Sequence, residues 1–188
     1  MCVLALCAGC SSEPPAKAPE TVQKPAEPAV PAELQSAANA VLGEDAEVLA
    51  FGDLAKTGNQ QVLVINRIKK TPENTVPGTL LTRATILSLQ DGKWMELLHV
   101  DEHLKNTNGF LAATPVAPVT GWRLQYEQNP VKGLQLYFTP LQQPAGGTLQ
   151  TIGVRWNPKV KRYQSLDRSY ENFLGETPVL ETIKGSLR

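Results

Sequence analysis

The fold of this chain is decided by residues 84–98, which read Ala-Thr-Ile-Leu-Ser-Leu-Gln-Asp-Gly-Lys-Trp-Met-Glu-Leu-Leu. Two alternating apolar runs flank Asp91 and Gly92 in this stretch. Both positions of a tight hairpin turn need positive φ, which Asp and Gly tolerate better than other residues. The stretch therefore predicts an antiparallel hairpin with strands over residues 82–89 and 93–100.

The strand pattern continues on both sides of this hairpin. Six further segments rich in apolar and β-branched residues are predicted strands: 47–51, 61–68, 122–127, 133–139, 149–156 and 162–166. The last four form two pairs around turns that contain Asn129-Pro130 and Asn157-Pro158. Residues 84–98 also loosely resemble the strand, turn and strand that begin at Gln150. We expect an all-β fold, either an antiparallel β-sandwich or two packed blade-like sheets.

A short helix is predicted before the strands, over residues 32–43. Pro31 suits the first turn of a helix, and Gly43 suits its C-terminal end. The apolar residues between them form one stripe at helical spacing: Leu34, Ala37, Ala38, Val41 and Leu42. All eleven aromatic residues follow residue 50, so the core is assigned to a single β-rich domain over residues 44–188.

The N-terminus contains every cysteine of the chain: Cys2, Cys7 and Cys10. The rest of the sequence therefore offers no disulfide, thiolate metal site or cysteine nucleophile. The segment Leu6-Cys7-Ala8-Gly9-Cys10 resembles the lipobox of bacterial lipoproteins. This resemblance implies that Cys10 is acylated and becomes the mature N-terminus. No Lys or Arg precedes the apolar run, so residues 1–9 are interpreted as a truncated signal peptide.

A proline-rich segment over residues 10–31 follows the lipobox. It contains six of the fifteen prolines and no aromatic residue. This composition cannot bury enough surface to fold, so a disordered, lipidated tether is predicted. In an extended polyproline conformation it would reach roughly 65 Å.

Composition limits the possible functions of the chain. Its 18 basic and 18 acidic side chains give a net charge of zero, so nucleic acid is not an expected partner. No run of about 18 apolar residues predicts a transmembrane helix. The sequence has no Gly-x-Ser-x-Gly elbow and no phosphate-binding glycine loop. We therefore expect neither an enzyme nor a cofactor.

Residues 51–65 resemble a degenerate FG-GAP repeat of integrin-like propeller blades. Asp53 matches the first calcium ligand of that family and Gly58 its turn glycine. Ala55 and Thr57 occupy the positions of the next two carboxylates, so the oxygen ligands that calcium requires are missing. We interpret the segment as a turn that keeps the geometry of the repeat without its metal.

His99, Asp101 and His103 are candidate metal ligands. On a strand their side chains point to one face at period two, and two imidazoles with a carboxylate suit zinc. This pattern supports the alternative of a periplasmic metal-binding protein or metalloenzyme. The other interpretation is the end of an amphipathic strand that runs into a polar loop.

Trp122, Trp156 and Tyr163 are candidate ligand-binding residues because cationic side chains lie close to them in the sequence. Aromatic rings with neighbouring cations can form stacking platforms. A carbohydrate-binding module that uses exposed tryptophans is a further alternative, although strand aromatics also commonly fill the core.

Together these features predict a lipid-anchored protein of the bacterial cell envelope with a non-enzymatic binding or structural role. The expected partners are the membrane, through the N-terminal lipid, and an envelope protein or glycan. Ser11 and Ser12 follow the lipobox, and neither is the aspartate that resembles an inner-membrane retention mark. The outer membrane is therefore favoured over the inner membrane.

Overall fold

A computed structural model of the chain describes residues 29–69, 76–111, 119–142 and 150–176. The lipobox and most of the tether lie outside these ranges. Within them the chain forms one helix and ten strands: α1 Ala32–Leu42, β1 Ala46–Gly52, β2 Gln61–Arg67, β3 Thr79–Gln90, β4 Lys93–Val100, β5 Leu104–Asn106, β6 Gly109–Phe110, β7 Trp122–Asn129, β8 Gly133–Pro140, β9 Ile152–Asn157 and β10 Arg162–Ser165.

Strand β3 joins two groups of strands into one antiparallel sheet. One group runs β1, β2, β3, β4, β5 and β6, and the other runs β10, β9, β8, β7 and β3. The first three residues of β3 pair with β7, whereas Ala84 to Gln90 pair with β4. A register irregularity between Asn66 and Arg67 of β2 lies opposite this change of partner. Irregularities of this kind bend a strand and redirect its pairing.

The sheet curls so that its two halves face each other across the main core. Sixteen buried residues form this core: Leu54, Leu63, Ile65, Leu81, Ala84, Ile86, Leu98, Val100, Leu104, Trp122, Leu124, Leu134, Leu136, Phe138, Val154 and Tyr163. The two ends of the sheet meet through Tyr163 of β10. Its hydroxyl lies 3.2 Å from Gln61 Oε1, and its carbonyl accepts a hydrogen bond from Asn106 Nδ2 at 2.6 Å.

Helix α1 packs on the outer side of β1, β2 and β3. Its apolar stripe contacts residues that point away from the main core, and together they form a second cluster: Ala37, Ala38, Leu42, Ala46, Val62, Val64 and Leu87. The carbonyl of Leu42 accepts hydrogen bonds from Asn66 Nδ2 at 3.2 Å and from Arg83 Nη2 at 3.0 Å. These two bonds satisfy a carbonyl at the helix C-terminus that has no partner within the helix.

The prediction of an antiparallel all-β body with one short N-terminal helix is confirmed. Asp91 and Gly92 both have positive φ, 49° and 75°, and link β3 to β4 as expected. The two packed layers are continuous through β3 and not separate sheets. Strands β5 and β6 were not expected, because segments of three and two residues are too short to show a period-two pattern.

Candidate functional site

The structure brings His99, Asp101 and His103 together at the connection between β4 and β5. Asp101 Oδ2 lies 3.1 Å from His99 Nε2 and accepts a hydrogen bond from Lys105 Nζ at 2.9 Å. Asp101 Oδ1 accepts the backbone amide of His103 at 2.8 Å and lies 3.9 Å from His103 Nδ1. The second ring nitrogen of His99, Nδ1, lies 2.9 Å from Glu96 Oε1. The arrangement is a network of ion pairs and hydrogen bonds around one carboxylate.

The electrostatics of this network favour a charged Asp101. Burial alone raises the pKa of Asp101, but hydrogen bonds from Lys105 Nζ and the His103 amide outweigh it and lower the pKa to about 2. The Lys105 ammonium shares Oδ2 with His99. Among the described residues, no group of three or more His, Cys, Asp and Glu side chains is arranged to hold a metal ion. The zinc alternative stays a prediction.

The three aromatic residues expected at a ligand platform pack into or against the core. Trp122 is 3% exposed, donates from Nε1 to the carbonyl of Asp101 at 2.6 Å and contacts Phe138 edge to face. Tyr163 has no exposed surface, and burial raises its pKa. Trp156 is partly buried and contacts Tyr163 edge to face. The side chains of Trp122 and Tyr163 point into the main core and offer no exposed ring to a ligand.

The loop that resembles an FG-GAP repeat is closed by its own aspartate. The two carboxylate oxygens of Asp53 accept the backbone amides of Thr57 and Gly58, at 2.7 and 3.0 Å. The next residue, Leu54, uses its carbonyl to accept the amide of Leu134 at 2.7 Å. Asp53 therefore stabilises a turn that links the β1–β2 loop to the start of β8. The resemblance to the repeat itself stays an expectation.

An open cleft lies where β3 changes partner, lined by Thr82, Arg83, Asp101, Glu102, Val119 and Thr120. Arg83, its main cation, is committed to structure: it donates from Nη2 to the carbonyl of Leu42 and from Nε to Asn66 Oδ1. Asp101 is likewise engaged by Lys105. Two of the three charged side chains that line the cleft, Arg83 and Asp101, are thus engaged by neighbouring parts of the fold.

A more complete site lies on the outer surface of β7, β8 and β9, and the sequence analysis missed it. We call it the tyrosine face and define it by five residues: Glu127, Gln135, Tyr137, Arg155 and Tyr170. Leu134, Leu136 and Phe138 of β8 point into the core, so Gln135 and Tyr137 between them point outward. In the sheet Gln135 is opposite Arg155, and Tyr137 is opposite Gly153.

Hydrogen bonds connect the polar members of the tyrosine face. Glu127 Oε1 accepts Gln135 Nε2 at 2.5 Å and the Tyr137 hydroxyl at 3.3 Å. Arg155 is 8% exposed, donates from Nη1 to Gln135 Oε1 at 3.4 Å, and places its guanidinium 4.7 Å from the centre of the Phe173 ring. Burial raises the pKa of Tyr137, and the Glu127 carboxylate raises it further. The charges of Glu127 and Arg155 are therefore linked through one glutamine.

The loop after β10 places the Tyr170 ring on the tyrosine face. The Asp167 carboxylate accepts hydrogen bonds from the Ser169 hydroxyl at 2.7 Å and from Asn172 Nδ2 at 3.1 Å, and these bonds lower its pKa to about 2. Tyr170 has a φ of 60°, which is uncommon for a bulky residue. Its ring packs over Gly153 and contacts Tyr137 edge to face, with 5.1 Å between ring centres.

The signals for this face in the sequence are weak but identifiable. Gln135 and Tyr137 alternate with three apolar residues of their strand, Leu134, Leu136 and Phe138. This alternation predicts that they point to the opposite, outward face. The run Asp-Arg-Ser-Tyr-Glu-Asn over residues 167–172 suits a side-chain-stabilised turn. Neither signal alone indicates that the loop folds back over β9.

No protein-family model matches this chain, and neither a curated protein nor a solved structure matches it. In the part of the chain that the structure describes, no helix has the length and apolar character needed to span a bilayer.

Proposed function

We propose that this protein is a lipid-anchored component of a bacterial envelope and that its β-rich body has a non-enzymatic binding or structural role. The observation that carries the proposal is the lipobox-like segment Leu6-Cys7-Ala8-Gly9-Cys10 directly before a proline-rich tether. The small residues Ala8 and Gly9 allow a peptidase close access to the backbone, and the Cys10 thiol accepts the lipid.

Physical chemistry explains why this arrangement would hold the body at a membrane. Each buried methylene of an acyl chain contributes about 0.8 kcal/mol, so two or three chains anchor a protein almost permanently. The tether would separate the body from the bilayer by up to roughly 65 Å. That separation suits contact with an envelope protein or polymer, and Ser11 and Ser12 favour the outer membrane.

The described body supports a binding role better than catalysis. Its two histidines take part in the network around Asp101, next to the Lys105 ammonium. Its tyrosine face combines aromatic and hydrogen-bonding side chains on the outer side of the sheet. A surface of this kind suits contact with a polar partner.

The lipid anchor is tested by labelling in a bacterial host. Cells that produce the full chain behind a complete signal peptide are grown with radioactive palmitate and then fractionated. We expect label and membrane association for the natural sequence and for the control Cys7→Ser. Cys10→Ser should lose the label and leave the membrane fraction. Label that persists in Cys10→Ser would contradict the proposal.

A further inference from the structure

We propose that the tyrosine face binds a glycan strand built of N-acetylated sugar rings, as in the bacterial cell wall. This inference rests on the envelope location proposed above. It assigns to Tyr137 and Tyr170 the stacking role that the sequence suggested for Trp122, Trp156 and Tyr163. The ligand class follows from the rings, the balance of charge and the hydrogen-bonding groups of the face.

The ring pair supplies an apolar contact at the surface. Tyr137 and Tyr170 are both partly exposed, and their planes meet at 86°. In an edge-to-face pair, the ring that contributes its edge keeps its own faces uncovered by the partner. A flat aromatic face suits the apolar C–H face of a sugar ring, and tyrosine keeps a hydroxyl for the sugar's polar rim.

The position of Tyr170 is built into the fold. The Asp167 turn holds a bulky residue at a φ of 60°, an uncommon conformation that persists where the surrounding structure determines it. Gly153 leaves room for the ring, because a Cβ there would lie 2.5 Å from Tyr170 Cδ1. Backbone strain that fixes one exposed aromatic side chain is typical of a binding surface.

The charges of the face favour an uncharged ligand. Glu127 and Arg155 are linked through Gln135, so neither charge stands alone. A phosphate or nucleic acid ligand would instead need unpaired cations. The network also fixes the side chains before binding, which reduces the entropy lost on association.

Polar groups on β7 extend the face beyond the rings. Gln125 is opposite Tyr137 in the sheet and exposed, so its carboxamide can both donate to and accept from a sugar acetamido group. Arg123 lies two residues away on the same side of β7. Its Nε is buried without a hydrogen-bond partner in the described part of the chain. Because this nitrogen is enclosed by the protein, Gln125 is the polar group of β7 that extends the face.

The test uses the full chain with Cys10→Ser, so that no lipid is present, and the probe is chitohexaose, the hexamer of N-acetylglucosamine. Calorimetric titration should detect binding. Tyr137→Leu and Tyr170→Leu, which keep apolar volume but not a flat ring, should each weaken it about tenfold or more. Tyr170→Phe, which keeps the flat ring and loses only the hydroxyl, should weaken binding less than Tyr170→Leu does. Tyr126→Leu is the matched control, because this exposed tyrosine lies on β7 opposite Leu136 and thus on the other side of the sheet.

Nitration protection and binding of a second sugar also test the tyrosine face. In the Cys10→Ser protein with both tyrosines intact, chitohexaose should protect Tyr137 and Tyr170 from nitration by tetranitromethane. This measurement does not depend on the stability of the leucine variants. Maltohexaose, which lacks acetamido groups, should bind at least tenfold more weakly. Absence of chitohexaose binding, equal binding of the two sugars, or binding that is unaffected by both leucine variants would overturn the inference. The sugar-binding experiments use protein without lipid, so a negative result there does not bear on the proposed lipid anchor. In the same way, a negative palmitate-labelling result does not change how the sugar-binding data are interpreted.

Discussion

Asp101 is the residue that holds the β4–β5 connection together. Its carboxylate accepts from Lys105 Nζ and from the His103 amide, contacts His99, and its backbone carbonyl accepts from Trp122 Nε1. One residue thus links the connection to the main core. The hydrogen bonds that lower its pKa make its ionised form the one that the folded state prefers.

Asp101→Asn is therefore expected to destabilise the protein in a pH-dependent way. The folded-state pKa of about 2 lies below the ordinary value of 3.8, so the ionised carboxylate stabilises the fold above about pH 4. This stabilisation is lost as the pH falls from about 4 to about 2. The side chain is 26% exposed, so we expect a loss of about 1 to 2 kcal/mol in urea unfolding at pH 7.

The neighbouring acid Glu102 is the control for this prediction, because its side chain is exposed. Glu102→Gln should change the free energy of unfolding by less than about 0.5 kcal/mol. A cost for Asp101→Asn that stays the same at pH 7 and near pH 2 would refute the assigned role of the ionised carboxylate.

Gly133 is the second residue on which the fold depends. Its φ is 74°, and a Cβ at this position would lie 2.7 Å from the carbonyl oxygen of Leu54. Gly133→Ala should lower the free energy of unfolding by about 3 kcal/mol, since it adds a backbone clash to the cost of a left-handed conformation. Gly92→Ala has almost the same φ, 75°, and nothing within 4 Å, so it should cost only about 1 kcal/mol. Equal losses in denaturant titrations would rule out the close approach of the β1–β2 loop.

At the scale of elements, α1 depends on contacts from the sheet more than on its own ends. Pro31 at its N-terminus provides no side-chain capping bond. The C-terminal carbonyl of Leu42 accepts hydrogen bonds from both Asn66 and Arg83. Most of the stability of a short helix comes from such tertiary contacts.

Asn66→Ala is expected to loosen the helix. The substitution removes one of the two bonds to Leu42 and one partner of Arg83, which should cost about 1 to 2 kcal/mol. Hydrogen exchange should then speed up in α1 more than in β8. Asn59→Ala, at an exposed position in the β1–β2 loop, should leave exchange in the helix unchanged. Equal exchange rates in both variants would argue against this docking contact.

Some elements of the fold can be predicted from local sequence, whereas others depend on contacts between distant segments. Hairpins at Asp91-Gly92 and at the two Asn-Pro turns follow from local turn chemistry, which acts within a few residues. Alternate residues of a strand point to opposite faces of the sheet, and Trp122 and Tyr163 occupy positions that face the core. The cations next to them in the sequence do not indicate which face that is. The pairing of β3 with β7 and the path of residues 167–176 depend on contacts between distant segments, which no local pattern encodes.

At the scale of the whole molecule, β3 belongs to both layers of the curled sheet, and Tyr163 of β10 accepts a hydrogen bond from Asn106 of β5 near the other end. A layer that unfolded alone would leave the shared core exposed. We therefore predict a single cooperative thermal transition, with equal calorimetric and van't Hoff enthalpies. Two separate transitions would show that the layers fold as independent units.

Mass spectrometry of the N-terminal peptide of protein isolated from bacterial membranes tests the central claim most directly. The account predicts a peptide that begins at Cys10 and carries a diacylglyceryl group on its sulfur. A peptide that runs unbroken through Gly9 and Cys10, with a free thiol, would contradict it.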